Sequence, residues 1–358
     1  MCDWSTLLSH DVNALLRCPR CGATPLTEHE KSLDCTACGA AYPLDRTRFI
    51  ASLLGSVADS AIKEDIRKWW GDLYEQIYGP TDRNLDTEKL ARLLADTEDL
   101  FRKRELLPVV EMPLDELAGK TVLEIGPGGG GHSALFASKG ASVVACDITP
   151  ERAISTALKL SLVKGGEGRA YQGDAETLPF RDGAFDIVYS NGVLHHSENT
   201  DRTIAEVYRV LKPGGRAVLM LYSRHSAIYW LNIVPRALFG GEMFGRPEAE
   251  WAGRVTEGKP KFGETKNPIT RIYSERELRR LLHAFNVVTM RKNSFQWDNF
   301  AIPRLTQLRD KVLSLMGHQA HPGGILVYGR PFFVETPTEL AIGRHAGFAW
   351  NIVAEKPA

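Results

Sequence analysis

The sequence lacks any long hydrophobic segment, since no uninterrupted apolar run approaches the roughly 20 residues that a bilayer-spanning helix needs. It also lacks a charge bias, because 44 Lys and Arg residues balance 44 Asp and Glu residues. The stretch from Met1 to Trp4 lacks the basic and apolar regions of a secretory signal. These absences predict a cytoplasmic protein without membrane insertion. They also give the chain as a whole no preference for nucleic acid or an anionic surface.

The composition is that of a globular protein. The chain has 358 residues, of which 43% are hydrophobic and 25% charged, enough for one large domain with additions or for two domains. Neither an internal repeat nor a low-complexity tract is apparent. A sizeable core is therefore expected.

A glycine-rich turn follows an apolar stretch, Val122 to Ile125. Glycines at such a turn accept positive φ and carry no Cβ, so a nucleotide-like cofactor can lie against the backbone at a helix N-terminus. The turn fits two patterns. The dinucleotide pattern G-x-G-x-x-G uses Gly126, Gly128 and Gly131, whereas the E-x-G-x-G pattern of S-adenosylmethionine enzymes uses Glu124, Gly126, Gly128 and Gly130. The turn alone leaves both cofactors open.

Strands and helices alternate after this point. Five buried strands are predicted at Thr121–Ile125, Ser142–Cys146, Arg169–Gln172, Phe185–Ser190 and Arg216–Tyr222. Helices are predicted near 132–139, 150–163 and 200–211, the last ending at the Lys212 to Gly215 segment. This alternation predicts an α/β fold with a parallel sheet, helices on both faces, and ligands bound beyond the carboxyl ends of the strands.

Two aspartates follow predicted strands. Asp147 lies 21 residues after Gly126, where its carboxylate suits both ribose hydroxyls of either cofactor, or caps the helix after Thr149. Asp174 follows the third strand, and it too could either contact the cofactor or cap a turn.

The sequence motifs after the glycine turn decide between the two cofactors. In order and spacing the chain resembles class I S-adenosylmethionine-dependent methyltransferases, particularly the small-molecule branch of the ubiquinone and menaquinone methyltransferases. The resemblance is strong over residues 117–222 and rests on the glycine turn, Asp147, Gly173 to Phe180, Phe185 to His196 and Leu211 to Gly215. It implies a Rossmann-like sheet of seven strands, completed by Asn286–Met290 and an antiparallel last strand at Phe348–Ala354, after a helix at Ser274–Phe285.

The resemblance also implies a cofactor site. It places the methionine part against Glu124, Gly126, Gly128 and Gly130, the ribose on Asp147, and the adenine near Ile148, Asp174 and Ala175. Asn191 is expected beside the transferable methyl, and the charge of Glu124 suits the cofactor's ammonium group.

Candidate catalytic residues lie beyond the fourth and fifth strands. His195 and His196 are candidates for a base, with the alternative that they shape the loop by backbone hydrogen bonds. Tyr222 and Arg271 are candidates for positioning the substrate. Arg224 and Arg271 could clamp an anionic group or pair with surface acids, and both alternatives stay open.

Four cysteines form two C-x-x-C pairs, Cys18 with Cys21 and Cys35 with Cys38. Their spacing suits one tetrahedral, structural Zn²⁺, and Gly22 and Gly39 allow the tight turns that aim backbone amides at sulfur. Disulfides or a redox pair are the alternatives. The segment resembles the zinc ribbons that activate methyltransferases as a partner chain or are fused to one.

The predicted organisation has five parts. Residues 1–50 form the zinc ribbon, 51–116 a helical extension that covers the substrate, 117–222 the cofactor-binding core, 223–270 a lid insertion, and 271–358 the end of the sheet with a second insertion at about 294–345. In the extension, Gly79 and Pro80 are expected to separate two amphipathic helices. Trp69 and Trp70 are expected either to pack in the core or to contact substrate.

The expected activity is methyl transfer from S-adenosylmethionine to a small-molecule acceptor at oxygen, nitrogen or carbon, with an anionic acceptor possible. The ribbon resemblance raises RNA or a translation protein as an alternative substrate. Against nucleic acid, residues 1–50 hold five Lys and Arg but six Asp and Glu. A homodimer or protein docking through the ribbon, and a regulatory protein without turnover, are further alternatives.

Overall fold

The computed structural model describes residues 14–45, 47, 50–54, 60–256, 266–300, 302 and 304–358. The beginning of the predicted ribbon and the segment 257–265 of the first predicted insertion lie outside the described residues. Within them, no helix is both long enough and apolar enough to cross a membrane.

The strands of the described chain form a single mixed sheet. They are β1 (Thr27–Glu28), β2 (Ser32–Asp34), β3 (Ala41–Asp45), β4 (Ile50–Ser52), β5 (Thr121–Ile125), β6 (Ser142–Asp147), β7 (Glu167–Gln172), β8 (Phe185–Asn191), β9 (Leu211–Tyr222), β10 (Asn286–Asn293) and β11 (Ala349–Glu355). Their order is β1-β2-β3-β4-β7-β6-β5-β8-β9-β11-β10. From β7 to β9 the pairs are parallel, and β11 runs antiparallel between β9 and β10. The predicted seven-stranded sheet is confirmed, and the four short N-terminal strands lengthen it.

The α-helices cover both faces. They are α1 (Ala61–Ile77), α2 (Gly79–Asp82), α3 (Thr87–Lys103), α4 (Leu107–Val110), α5 (Gly131–Ser138), α6 (Pro150–Leu162), α7 (Thr200–Val210), α8 (Val234–Phe239), α9 (Glu248–Thr256), α10 (Glu275–Leu281), α11 (Leu305–Leu315), α12 (Ile325–Tyr328) and α13 (Pro337–Ala346). A π-helical turn, Tyr229–Ile233, precedes α8.

Successive residues of the central strands enter different cores, because side chains alternate across a sheet. Leu123, Val144 and Val188 join the cluster under α7 and α10. Their neighbours Val122, Val143 and Tyr189 join the cluster under α3 and α5. Burial on both faces explains why these strands are almost continuously apolar.

Two local features differ from the sequence expectation. Gly79 and Pro80 lie between the two long helices, as predicted, but they also begin a short helix, α2, and residues 83–86 join it to α3. Lys212 to Gly215 do not precede the last parallel strand, because β9 already begins at Leu211, which pairs with Phe185. The next pair joins Ile187 to Arg216, so the proline and glycines form a bulge inside the strand.

The cysteine-rich segment is continuous with the core. β4 pairs in parallel with β7, and the Arg17 amide donates to the Pro179 carbonyl at 3.0 Å. The Ser52 hydroxyl also donates to Gln172 Oε1 at 2.7 Å. The segment therefore extends the sheet at the edge formed by β7.

Candidate functional site

The glycine turn joins β5 to α5 with an alternating left-handed backbone. Gly126, Gly128 and Gly130 have φ values of +71°, +60° and +76°, whereas Gly131 opens the helix with an ordinary φ. A Cβ on Gly126 would lie 2.4 Å from a Val193 methyl carbon, and one on Gly130 would lie 2.7 Å from Thr156 Cα. The three glycines that need positive φ are those of the E-x-G-x-G pattern.

Glu124 is buried beneath this turn and faces the cavity described below. Burial raises the pKa of its carboxyl to about 8, against the opposing effect of hydrogen bonds from Ser133. The nearest imidazole, His132, has Nδ1 3.7 Å from Glu124 Oε1, and burial lowers the pKa of His132 to about 4. A neutral imidazole cannot balance the carboxylate, so a cationic ligand group at this position would stabilise its ionised form.

Asp147 ends β6 and uses its two oxygens differently. Oδ1 accepts hydrogen bonds from the Thr149 amide and hydroxyl at 2.8 and 2.9 Å, which is the capping role considered from the sequence. Oδ2 has no hydrogen-bond partner in the described chain, while the residue lines the cavity. Burial raises the pKa of Asp147. Capping and ligand binding are thus compatible in one side chain.

Asp174 is part of a buried ion cluster that the sequence did not predict. Its Oδ1 accepts the Glu176 amide at 2.9 Å, and Lys63 Nζ, from α1, donates to Asp174 Oδ2 at 2.7 Å. Lys63 Nζ also lies 3.0 Å from Glu176 Oε2. The only sequence signal was spacing, because Lys63, Ile66 and Trp70 lie on one helical face.

The loop after β8 brings Asn191 and His196 to the cavity wall. His196 Nδ1 lies 3.0 Å from the Ile269 carbonyl, and its ring centroid lies 5.1 Å from that of Trp70. Nδ1 also lies 3.0 Å from Asn267 Nδ2 and 3.1 Å from Thr270 Oγ1, so this edge of the ring is held by the segment 267–270.

His195 lies behind this wall and is not among the lining residues. Its side chain is fully buried, with its ring centroid 3.9 Å from that of Tyr222, and burial lowers the pKa of His195 well below the usual range. Tyr222 does line the cavity and stacks on Phe348. His195 therefore contacts a wall residue, whereas His196 lines the cavity itself.

The two candidate anion-binding arginines have protein partners. Arg271 donates to the Ser197 and Glu198 carbonyls at 2.5 and 2.7 Å and is not a lining residue. Arg224 pairs with Glu248 at 2.6 Å. Arg224 therefore pairs with an acidic residue, which is the second alternative considered from the sequence. Arg271 holds the loop that carries His196.

One cavity of about 410 Å³ connects these groups. Its lining includes Glu124, Gly126, Gly128, Asp147, Ile148, Asp174, Ala175, Asn191, His196, Met220 and Tyr222. Gly130, which packs against Thr156, is not a lining residue. The N-terminal extension adds Lys63, Ile66, Trp70, Tyr78, Phe101 and Leu106, and the second insertion adds Ser294, Leu326, Val327 and Tyr328. No described residue between 224 and 270 lines it. The cover over the site is therefore made by the extension and the second insertion.

The four cysteines meet at a separate place. Their sulfur atoms all lie within 4.8 Å of one another, with Cys18 and Cys38 at 3.7 Å and Cys21 and Cys35 at 3.5 Å. Zinc bonded to four sulfurs at about 2.3 Å would hold them about 3.8 Å apart, so the donors fit the metal. Both knuckles have the same backbone bonds, from Gly22 to Cys18 and from Gly39 to Cys35.

Comparison with known proteins adds independent information. A family model described as a methyltransferase domain matches residues 123–219. An uncharacterised methyltransferase of Synechocystis is 33% identical over 181 residues, which are 49% of this chain and 76% of that protein. A ubiquinone biosynthesis O-methyltransferase of Pseudomonas paraeruginosa is 32% identical over 207 residues, covering 52% of this chain and 87% of that protein. A solved S-adenosylmethionine-dependent methyltransferase of Methanosarcina mazei has a TM-score of 0.44 and 24% identity, covering 66% and 92% of the two chains.

Proposed function

The chain belongs to the class I S-adenosylmethionine-dependent methyltransferases, and we propose that it methylates an uncharged small molecule with an apolar or aromatic body. The observation that carries this proposal is the single cavity shared by the glycine turn, the strand-end acids and the loop bearing Asn191 and His196. Such a site lies where parallel α/β sheets bind their ligands.

The residues present fit the cofactor. The bare turn at Gly128 leaves room beside the backbone, Glu124 suits the ammonium group, and Asp147 Oδ2 suits the ribose. Ile148, Asp174 and Ala175 line the same cavity and are proposed to contact the adenine, and Asn191, also a lining residue, is proposed to lie beside the transferable methyl. When bound, the sulfonium of S-adenosylmethionine supplies an already activated methyl group.

The protein's own task is to orient the acceptor and exclude water. Trp70 and Tyr328 belong to covering segments from opposite ends of the chain. His196 is the group we assign to remove a proton, if the acceptor is a hydroxyl or an amine, with its ring held through Nδ1 by the Ile269 carbonyl. His195 holds Tyr222 by ring contact, and Arg271 holds the loop.

Apolar and aromatic lining residues support an uncharged acceptor. Met220, Tyr222, Leu326 and Tyr328 are among the side chains that line the cavity. Arg224 and Arg271, the candidates for an anion clamp, are held by Glu248 and by loop carbonyls. Ligand burial against such surfaces gives affinity, and a few polar groups set orientation.

The cysteine cluster is proposed to hold one structural Zn²⁺, because its four thiols leave no position for another ligand. Its strand β4 is already paired with β7 of the same chain, which supports an internal role. The absence of a basic excess in residues 1–50 argues against RNA docking.

Isothermal titration calorimetry with S-adenosylhomocysteine tests the first step. We expect one site per chain, and we expect Asp147→Ala to weaken binding at least about 10-fold through loss of the ribose contacts. The exposed Asp201, replaced by Ala, is the matched control. Failure of the wild-type protein to bind would refute the proposed function, and an unchanged affinity in Asp147→Ala would refute the ribose assignment.

A further inference from the structure

Arg152 is a cavity residue that the sequence did not single out. It lies in the first turn of α6, is only 8% exposed, and lines the cavity beside the glycine turn. Its Nη1 would lie 3.8 Å from a Cβ built on Gly128. The guanidinium also lies over the Trp70 ring, with Cζ 4.8 Å from the ring centroid.

The guanidinium has few partners for a buried cation. Of its five N–H donors, only Nε makes a hydrogen bond within the described chain, to the Trp70 carbonyl at 3.3 Å. No carboxylate of the described residues lies within the 4.0 Å that defines an ion pair with it. Asp147 is near enough for its charge to interact, but neither of its oxygens forms a hydrogen bond with Arg152. A buried cation without a carboxylate is costly unless a ligand supplies one.

The other cations around the cavity are not in this situation. Lys63 has Asp174 and Glu176, and Arg271, just behind the wall, has two carbonyls. The unused Nη groups of Arg152 do not appear among the buried unsatisfied atoms of the described chain, which agrees with their facing the open cavity. The Trp70 ring gives the guanidinium a cation–π contact on one side.

We propose that Arg152 binds the carboxylate of the cofactor's methionine part, beside Gly128. This inference rests on the proposed function, since it takes the cavity as the cofactor site. A guanidinium presents paired N–H donors that match the two oxygens of a carboxylate, and this carboxylate is the one anionic group of S-adenosylmethionine. The start of α6 adds to the favourable potential, because Thr149 makes no side-chain cap there. Glu124 and Arg152 then complement the two charges of one α-amino acid group.

The plainer alternative is that Arg152 only packs against Trp70. The two roles are separated by comparing S-adenosylhomocysteine with its decarboxylated analogue, which keeps the adenosine and the amine. Arg152→Met preserves much of the apolar stem and removes the charge. The exposed Arg202 on α7, replaced by Met, is the control for loss of a cation.

Calorimetry on the full chain should give a distinctive pattern. Arg152→Met should bind S-adenosylhomocysteine roughly 10- to 100-fold more weakly than wild type, while both proteins bind the decarboxylated analogue equally. Thermal unfolding followed by circular dichroism checks that the variant is folded. Equal affinity of wild type and Arg152→Met for S-adenosylhomocysteine would overturn the assignment. If Arg152→Met instead bound both ligands more weakly by the same factor, Arg152 would only pack against Trp70, and the assignment would also be overturned. A wild-type protein that binds neither ligand would refute the proposed function instead.

Discussion

Three acidic residues at the ends of adjacent parallel strands have different environments, and this decides what each can do. Glu124 is buried against Ser133 and a neutral His132, Asp147 keeps one oxygen for a ligand, and Asp174 is paired with Lys63. Glu124 can therefore change its protonation when a ligand binds, Asp147 can accept a hydrogen bond, and Asp174 takes part in an ion pair.

Glu124 makes cofactor binding depend on pH. Its pKa of about 8 means that it is mostly protonated at pH 7 in the free protein, and a bound ammonium group favours the ionised form. The neighbouring groups, His132, Tyr189 and Asp147, do not supply a positive charge, since burial lowers the pKa of His132 to about 4 and raises those of Tyr189 and Asp147. Binding at pH 7 should therefore release most of one proton, and affinity should rise with pH and level off above about pH 8.

Calorimetry in buffers of different ionisation enthalpy measures this release directly. Glu124→Gln, which cannot ionise, is expected to bind without releasing a proton and without the rise in affinity. A binding enthalpy for wild type that is the same in every buffer at pH 7 would contradict the assignment of Glu124 to the ammonium group.

Among the elements, α1 is the one that links the N-terminal extension to the site. Lys63, near its N-terminus, meets Asp174 and Glu176, Trp70 faces Arg152, and Tyr78, just after its C-terminus, donates to the Val327 carbonyl at 2.7 Å. The helix is thus attached at both ends to parts of the chain that are far away in sequence. We interpret it as the cover that keeps water from the cofactor.

Removing the N-terminal attachment should cost stability. Lys63→Met leaves Asp174 and Glu176 buried without their cation, so we expect the free energy of unfolding in urea to fall by about 2–4 kcal/mol. Lys68→Met, at an exposed position of the same helix, should change it by less than about 0.5 kcal/mol. Equal unfolding energies for the two variants would mean that the cluster does not anchor the cover.

The elements also show what sequence can predict. Buried strands such as β5 and β6, and the turn with Gly126, Gly128 and Gly130, were predictable because apolar runs and positive-φ positions are local constraints. The pairing of β4 with β7, the bulge inside β9 and the start of α2 at Gly79 were not, because they depend on contacts between distant segments. Lys63 and Arg152 were missed for the same reason, since spacing on a helix indicates burial but not the partner.

In the molecule as a whole, one sheet connects the cysteine segment with the candidate cofactor cavity. Gln172, at the end of β7, accepts the Ser52 hydroxyl, and its Nε2 donates to the carbonyl of Ile148, the residue after Asp147. The cysteine segment is therefore two hydrogen bonds from the backbone that carries the proposed ribose contact. Loss of order at this edge would reach the cofactor site through Gln172.

Removal of zinc tests this connection. Chelation should lower the melting temperature by several degrees and weaken S-adenosylhomocysteine binding, because small metal sites fold only with their ion. Readdition of zinc should restore both, which excludes irreversible damage. Protein purified with less than about half an equivalent of zinc, or unaffected by its removal, would contradict the zinc proposal.

The central claim is methyl transfer to an uncharged small molecule, and the most direct test is mass spectrometry of a metabolite extract incubated with the protein and methyl-labelled S-adenosylmethionine. We predict a labelled, methylated product in the neutral organic-soluble fraction. The product should be absent with the Gly128→Asp variant, because this substitution puts a side chain and a charge into the turn. Label found only in macromolecules or in anionic metabolites, or no labelled product from protein that binds S-adenosylhomocysteine, would contradict the claim.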